Sequence, residues 1–313
     1  MTAIGTGTDR GRGALRRRGF IMAAGVAVAL TAACLQPAAA ADPPRTASFD
    51  LTAGRTGMVY RIHLAEPPEP APPGGYPVLY ALDGGVSVPV FQAIRAVMET
   101  GPVVVVGIGY PDDPASSVRR RYRDLTPPTP PALIPVKGSA PPPPTGGQDD
   151  FLAFIEEDLK PVIERRLPID RRRQTLFGHS LGGLFTLHAL FTRPDLFQVF
   201  AAAAPSVWWN QGSLLREQAA FLSGGMAPME TRTVLIEMAR TPPKEEGGDR
   251  EAGKWDHLRA GPTGTDIAHA LHGKPGLLVM LREHPELPHG GVLDHALADA
   301  LFLTTGRLSP RAP

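Results

Sequence analysis

A serine between two glycines is the strongest chemical signal in the sequence. Gly178-His179-Ser180-Leu181-Gly182 has the form Gly-x-Ser-x-Gly; the apolar segment QTLF precedes it, and GLFTLHALF follows it with apolar residues at helical spacing. This pattern is typical of a nucleophile elbow, a sharp strand-to-helix turn in which the glycines remove Cβ atoms that would block the close approach. We therefore predict Ser180 as the nucleophile of a covalent mechanism, with a helix N-cap as the structural alternative.

A catalytic serine of this kind needs a histidine as general base, and the chain order of the elbow arrangement is serine, acid, histidine. His188 lies within the helix that leaves the elbow and points from the wrong element. The base should lie on a loop at the carboxyl end of a strand, just before the final helix. His289 in LPHGGVL fits this position best, and His284 is the second choice.

The acid that would orient the histidine is less clear. It should follow the strand VLIEMA, and Glu237 lies inside that strand, so Glu245 and Glu246 on the next loop are better placed. A serine–histidine dyad is also open, because a backbone carbonyl can orient an imidazole.

Two backbone N–H groups must stabilise the oxyanion that forms during acyl transfer. The residue after the nucleophile, Leu181, supplies one, and Gly84 or Gly85 after the strand VLYAL supplies the other. The spacing of His284, His289 and His295 fits no zinc ligand set, so we expect no metal and no cofactor.

The surrounding elements alternate between strands and helices, which predicts an α/β fold with a mostly parallel sheet and helices on both faces. Catalytic groups then gather at the carboxyl ends of the strands. Prolines at 125–145 predict a surface loop, and Pro161 predicts a kink in a helix over 149–167. The predicted strands are 47–52 and 58–65 as an opening hairpin, 78–85, 103–110, QTLF, 199–206, 231–239 and 276–283, with helices at 93–100, 212–222, 265–272 and the chain end.

Length and charge narrow the class of protein. A chain of 313 residues with 42% hydrophobic residues suits one large domain, which we place at 42–313. The net charge of +1 gives no reason to expect a nucleic-acid partner, so we expect a small-molecule substrate.

The first 41 residues are predicted to be an export signal. Arg16-Arg17-Arg18 precedes the apolar run MAAGVAVALTAA, the pair at 17 and 18 resembles a twin-arginine signal, and Ala38 to Ala41 offer a cleavage site. Export would place the protein in the periplasm or outside the cell, with no permanent membrane span. Cys34, the single cysteine, sits in a loose lipoprotein box and is a possible lipid anchor.

Taken together, several blocks resemble the putative-esterase family of α/β hydrolases, which includes enterobactin-type siderophore esterases. The resemblance covers about residues 45–305 and rests on YPVLYALDGG, RRRYRDLTP, GGQDDFLAFIEEDLKPVIERRLPID, LFGHSLGGLFTLHALFTRPDLF, APSVWWN and HGGVLDHALADAL. It implies Ser180 and His289 as the catalytic pair and the Asp83-Gly84 turn at the oxyanion hole.

The resemblance also implies a substrate pocket. Arg121 would line it, with an ion pair to Asp124 as the structural alternative, and Trp208 and Trp209 would form an aromatic wall or pack in the core. One departure is that Ala239-Arg240-Thr241-Pro242 replaces the Gly-Glu-x-Glu of relatives, so the acid is not transferred. We expect an exported serine esterase acting on a siderophore lactone. The alternatives are a general carboxylesterase, an acyltransferase or a non-catalytic binding protein.

Overall fold

Eight β-strands form one sheet in the computed structural model, which describes residues 45–97, 101–136, 141–224, 230–240 and 260–306. The predicted signal segment, Cys34, Glu245 and Glu246 lie outside these ranges. The described residues all fall within one compact unit, Ala41–Pro313. The strands are β1 (Arg45–Thr52), β2 (Val59–Glu66), β3 (Tyr76–Leu82), β4 (Val104–Gly109), β5 (Ile169–His179), β6 (Val199–Ala203), β7 (Arg232–Ala239) and β8 (Leu277–His284).

The strand order of the sheet is β1-β2-β4-β3-β5-β6-β7-β8. β1 and β2 form the predicted hairpin, and β2 also runs antiparallel to β4. The remaining strands, β3 to β8, are all parallel to one another. This is the α/β-hydrolase fold class predicted from the sequence, and the prediction is confirmed. β5, which leads into Ser180, lies between β3 and β6 near the middle of the sheet.

The strands with continuous apolar sequences lie inside the sheet, where helices cover both faces. Every residue of β3 and β4 is buried, as a nearly continuous apolar sequence predicts. Along β3, Val78, Tyr80 and Leu82 pack into one core cluster, and Leu79 and Ala81 into the other, because successive side chains point to opposite faces. The sheet is therefore the middle layer of three.

The helices divide between these two faces. The α-helices are α1 (Gly84–Val97), α2 (Pro114–Leu125), α3 (Gln148–Ala153), α4 (Lys160–Arg166), α5 (Leu181–Thr192), α6 (Trp209–Gly212), α7 (Leu214–Ser223), α8 (Gly264–Leu271) and α9 (Leu293–Thr304). α1 and α9 contribute to the core that contains Leu79, and α2 to α8 contribute to the core that contains Val78. No helix of the described segments is long and apolar enough to cross a membrane.

Two helical regions differ in kind from the sequence prediction, and α1 begins earlier than predicted, at Gly84 and not at 93. The segment 149–167 is irregular, but the irregularity is a π-helical turn at Phe154–Leu159 that ends just before Pro161. A proline ring collides with the carbonyl group four residues earlier, so the distortion falls on the preceding turn. The other difference is α2, a polar helix where the sequence predicted no element; the carboxylate of Asp113 accepts hydrogen bonds from Ala115 N–H and Ser116 N–H at its start.

The described parts of the predicted proline-rich loop follow α2. They contain no strand and a single 3₁₀ turn, Pro131–Leu133. The base of the loop is closed by a bond from Gly146 N–H to Thr126 O (3.0 Å) and one from Thr129 N–H to Thr145 Oγ (3.1 Å). These bonds hold the two sides of the loop together where it leaves and re-enters the folded core.

Candidate active site

Ser180 occupies the turn between β5 and α5 in a backbone conformation that few residues adopt. Its φ is 60° and its ψ is −114°, and a non-glycine residue with positive φ is held there by its surroundings. A Cβ atom on Gly178 would lie 2.2 Å from the carbonyl oxygen of Gly182, so the turn closes only with glycine at 178. The first glycine of the Gly-x-Ser-x-Gly motif is therefore required for steric reasons.

Hydrogen bonds from β6 and the segment after it fix the position of Ser180. Its N–H donates to Ala203 O (2.9 Å), and its carbonyl accepts from Ser206 N–H (3.1 Å). The Ser180 Oγ lies 3.3 Å from the Oγ of Ser206, and the side chain is half-buried. A partly exposed hydroxyl is thus held at the carboxyl end of the sheet.

His289 lies on the turn between β8 and α9, beside the residue that precedes the nucleophile. Its carbonyl oxygen is 2.8 Å from the Nε2 of His179, and the two imidazole rings are 4.8 Å apart between centroids. His289 is exposed to solvent. The fold therefore brings this predicted base to the elbow from 110 positions away, and its catalytic role stays a prediction.

His284, the second choice for the base, is surrounded by carboxylates. Its Nε2 is 2.7 Å from Glu237 Oε2, and its Nδ1 is 3.7 Å from Glu286 Oε1. Since both ring nitrogens face carboxylates, neither is directed at a serine hydroxyl. This geometry favours His289 as the base.

Glu237 is fully buried although it carries a carboxylate. The sequence places Glu237 inside a strand, and the residue is part of β7. Its side chain extends from the sheet face that α9 covers and meets His284 of the neighbouring strand. The preferred acids, Glu245 and Glu246, lie outside the described residues.

The predicted oxyanion hole is built from the start of two helices. Asp83 directly follows β3 and has a φ of 56°, and Gly84 begins α1. A Cβ on Gly84 would lie 2.4 Å from the backbone of Gly107, so glycine is required for α1 to pack on β4. A Cβ on Gly182 would lie 3.6 Å from Asp83 Oδ2, which shows that this turn is adjacent to the first turn of α5, where Leu181 lies. The roles of Gly84 and Leu181 as donors stay predictions.

Arg121 reaches the site from α2, but its partner differs from the one expected. Its Nε and Nη2 donate to the two oxygens of Asp83 (2.7 and 3.0 Å), and Nη2 also donates to His179 O (3.1 Å). The structural alternative of an ion pair with Asp124 is wrong, because Asp124 pairs with Arg123 (2.8 Å). Arg121 thus links α2 to the oxyanion turn and to the elbow, and its contact with substrate stays a prediction.

The two tryptophans occupy different environments. Trp209 is 1% exposed, and its Nε1 donates to Thr129 Oγ1 (2.9 Å), so it belongs to the core. Trp208 is half-buried and packs against Trp209 with ring centroids 5.8 Å apart. An aromatic wall formed by both residues is therefore wrong for Trp209, and only Trp208 of the pair presents surface to a ligand.

His179 is the residue of this region that sequence reasoning missed. Burial lowers the pKa of His179, outweighing the hydrogen bond to His289, which raises it. No spacing rule links position 179 to position 289; its place directly before the nucleophile is the only signal that sequence offers. Among the described residues no group of three or more histidine, cysteine, aspartate or glutamate side chains is arranged to hold a metal.

The sheet order and the serine elbow together define an α/β hydrolase. The chain belongs to the family described as "Putative esterase", whose match covers residues 54–242 of the 313. The family predicted from the sequence is thereby confirmed.

Similar proteins cover the chain to different extents. Ferri-bacillibactin esterase BesA of Bacillus subtilis is 43% identical over 189 residues, which are 58% of this chain and 65% of that protein. Siderophore triacetylfusarinine C esterase of Aspergillus fumigatus is 39% identical over 254 residues, 74% of this chain and 82% of that protein. The crystal structure of the BES protein from Bacillus cereus matches with a TM-score of 0.70 and 31% identity, over 83% of this chain and 95% of that chain. The chain thus spans slightly less than two thirds of BesA and most of the other two.

Proposed function

We propose that the protein hydrolyses carboxylic esters through an acyl-enzyme on Ser180. The observation that carries this proposal is the positive-φ turn that fixes the Ser180 hydroxyl, half-buried, at the carboxyl end of the sheet. His289 removes the proton of the hydroxyl as it attacks the ester carbonyl, and then gives that proton to the departing alcohol. The N–H groups of Leu181 and Gly84 stabilise the oxyanion, and water attacks the acyl-enzyme to release the acid.

We propose a siderophore ester, and within that class a catecholate trilactone, as the substrate. Two relatives with substantial identity carry names that specify siderophore esters as their substrates. The exposed part of Trp208 suits an aromatic ring. Arg121 lies beside the elbow in its ion pair with Asp83, and we propose that it lines the substrate pocket there. Hydrolysis of each lactone bond would open the ring and release a carboxylate and a hydroxyl group.

We further propose that the enzyme is exported through the twin-arginine route and acts in the periplasm or outside the cell. The basic and apolar segments of residues 1–41 support this proposal, and Cys34 remains a possible lipid attachment site. Changing Arg17 and Arg18 together to Lys should leave the protein in the cytoplasm with its first 41 residues uncleaved. Secretion of the double variant at the wild-type level would exclude the twin-arginine route, and labelling of Cys34 by a fatty-acid analogue would establish the anchor.

The test of the mechanism is covalent labelling with a fluorophosphonate, with the label located by mass spectrometry. We expect the label on Ser180, and we expect Ser180→Ala to lose turnover by about 10⁴-fold or more. Ser206→Ala is the matched control, since its Oγ lies 3.3 Å from that of Ser180. This control should keep both the label and turnover within about tenfold of wild type. A label on Ser206, or activity that survives Ser180→Ala, would refute the assignment.

The substrate is tested separately. Initial rates on a tricatechol trilactone and on short p-nitrophenyl esters distinguish a siderophore esterase from a general carboxylesterase. Product formed with an added alcohol in preference to water would indicate an acyltransferase. Tight binding of the trilactone with no Ser180-dependent turnover of any ester would identify a binding protein.

A further inference from the structure

His179 connects the nucleophile's strand to the segment that carries the proposed base. It is the last residue of β5, and Ser180 follows it directly. The distance of 2.8 Å between its Nε2 and the carbonyl oxygen of His289 is that of a good hydrogen bond. The contact is therefore made with the backbone of residue 289 and not with its imidazole.

The chemistry of the two partners fixes the state of the His179 ring. A carbonyl oxygen only accepts, so Nε2 must carry the proton in this bond. Because burial lowers the pKa of His179, the ring is neutral at pH 7 and its Nδ1 carries no proton. The ring is thus held in one tautomer.

His179 is itself held from the opposite side. Its carbonyl oxygen accepts from Arg121 Nη2 (3.1 Å), and the same guanidinium is paired with both oxygens of Asp83. Bidentate arginine–carboxylate pairs fix orientation better than single contacts. The bond to His289 therefore starts from a residue whose backbone position is fixed.

The turn that receives this bond runs from the end of β8 to the start of α9. Gly290 and Gly291 follow His289, and a Cβ on Gly290 would meet no atom within 4 Å, so position 290 faces open space. The backbone N–H of Arg240 donates to Leu287 O (2.9 Å) on the other side of the turn. Local bonds shape the turn, from Leu287 N–H to His284 O (3.1 Å) and from Gly291 N–H to Pro288 O (2.8 Å). The His179 bond ties the turn directly to the strand that carries the nucleophile.

We propose that His179 is a positioning residue, which holds the backbone of His289 so that its imidazole stands within reach of Ser180. This inference rests on the proposed function, since it concerns the same serine and histidine. Misplacement of a catalytic group by about 1 Å can cost about 100-fold in rate. Loss of the bond should therefore lower kcat and leave KM nearly unchanged.

Three substitutions test the bond itself. His179→Phe keeps a planar ring without a donor, and we expect kcat to fall about 10- to 100-fold with KM within about threefold. His179→Gln places an amide N–H near the position of Nε2, and we expect it to recover most of the rate. His179→Asn is one methylene shorter and should behave like His179→Phe, so the Asn and Gln variants remain a matched pair if the Phe variant does not fold.

A second measurement does not depend on activity. Hydrogen exchange followed by mass spectrometry should show faster exchange over residues 285–292 in His179→Phe and His179→Asn than in wild type and His179→Gln. If the wild type shows no Ser180-dependent turnover, the proposed function is wrong. Hydrogen exchange would still test whether His179 holds the backbone of His289. Wild-type kcat together with wild-type exchange in His179→Asn would overturn the positioning role.

Discussion

His179, which ends β5, and His188, in the middle of α5, lie in opposite electrostatic environments. His179, just before the helix, has a backbone carbonyl as its partner, and burial lowers its pKa. His188, two turns into the helix, has its Nδ1 2.8 Å from Glu217 Oε2 and its Nε2 3.3 Å from Asp149 Oδ1. Burial alone would lower its pKa too, but the hydrogen bonds to the two carboxylates raise the pKa of His188 to about 9.

The difference shows that the charge of the partner decides what a buried histidine can do. A carboxylate keeps the imidazole protonated, and the resulting cation joins α5 to α3 and α7, which carry Asp149 and Glu217. A carbonyl accepts a hydrogen bond without adding charge, so the ring stays neutral with a defined tautomer. The first arrangement stabilises packing between helices, and the second suits the neighbourhood of a reacting serine.

The largest expected effect separates catalysis from stability. His289→Asn should lower kcat by about 10³-fold or more, because no general base remains. Its free energy of unfolding should stay within about 0.5 kcal/mol of wild type, since the side chain is exposed. Esterase kinetics and urea unfolding of the same preparation provide the two measurements.

His188→Gln is the matched control and should show the reverse pattern. We expect kcat within about threefold of wild type and a lower free energy of unfolding. If His284→Asn abolishes turnover while His289→Asn retains it, the assignment of the base is wrong.

The sequence predicts the parts of this site that depend on local steric rules. Ser180 follows from the motif around it, since a Cβ atom at position 178 would lie only 2.2 Å from the carbonyl oxygen of Gly182. β3 and β4 follow from their apolar sequences. These features need only neighbouring residues or a single periodic pattern, and both are visible in one chain.

Contacts between distant segments could not be predicted in this way. The sequence does not indicate Glu237 as a partner of a histidine, because the residue lies inside a strand. Its contact with His284 depends on the parallel register of β7 and β8, in which Glu237 pairs with Arg282. The helix α2 was missed because polar residues dominate it and Arg121 is held by Asp83 through an ion pair. Neither a register nor an ion pair leaves a periodic signal in the sequence.

The second prediction concerns the pH dependence of stability. The pKa of His188 is about 9 in the folded protein and 6.5 as the ordinary value. A raised folded pKa gives stabilisation that is complete below pH 6.5 and is lost as the pH rises through about 9; here it amounts to about 3 kcal/mol. We would measure the free energy of unfolding at pH 6, 7.5 and 9 in both proteins. From pH 6 to pH 9 it should fall more in wild type than in His188→Gln, and the difference should be about 3 kcal/mol.

The comparison with His188→Gln removes the contribution of other groups. Lys160 also titrates in this range, because burial lowers its pKa to about 8, but it is common to both proteins. A difference between the two proteins that does not change with pH would show that His188 is not held as a cation.

The smallest expected effect concerns the third histidine environment, the pair of His284 and buried Glu237. Glu237→Gln keeps the shape of the side chain and replaces a charge-assisted bond with a neutral one, which is roughly half as strong. We expect a loss of about 1 to 2 kcal/mol in the free energy of unfolding and a kcat within about tenfold of wild type. A double-mutant cycle with His284→Asn should assign most of the loss to this pair, because the second substitution then adds little. If kcat instead falls as far as in His289→Asn while the free energy of unfolding is kept, Glu237 takes part in the chemistry. A carboxylate partner of a histidine would then serve catalysis at β7 and β8, and not stability as it does at His188.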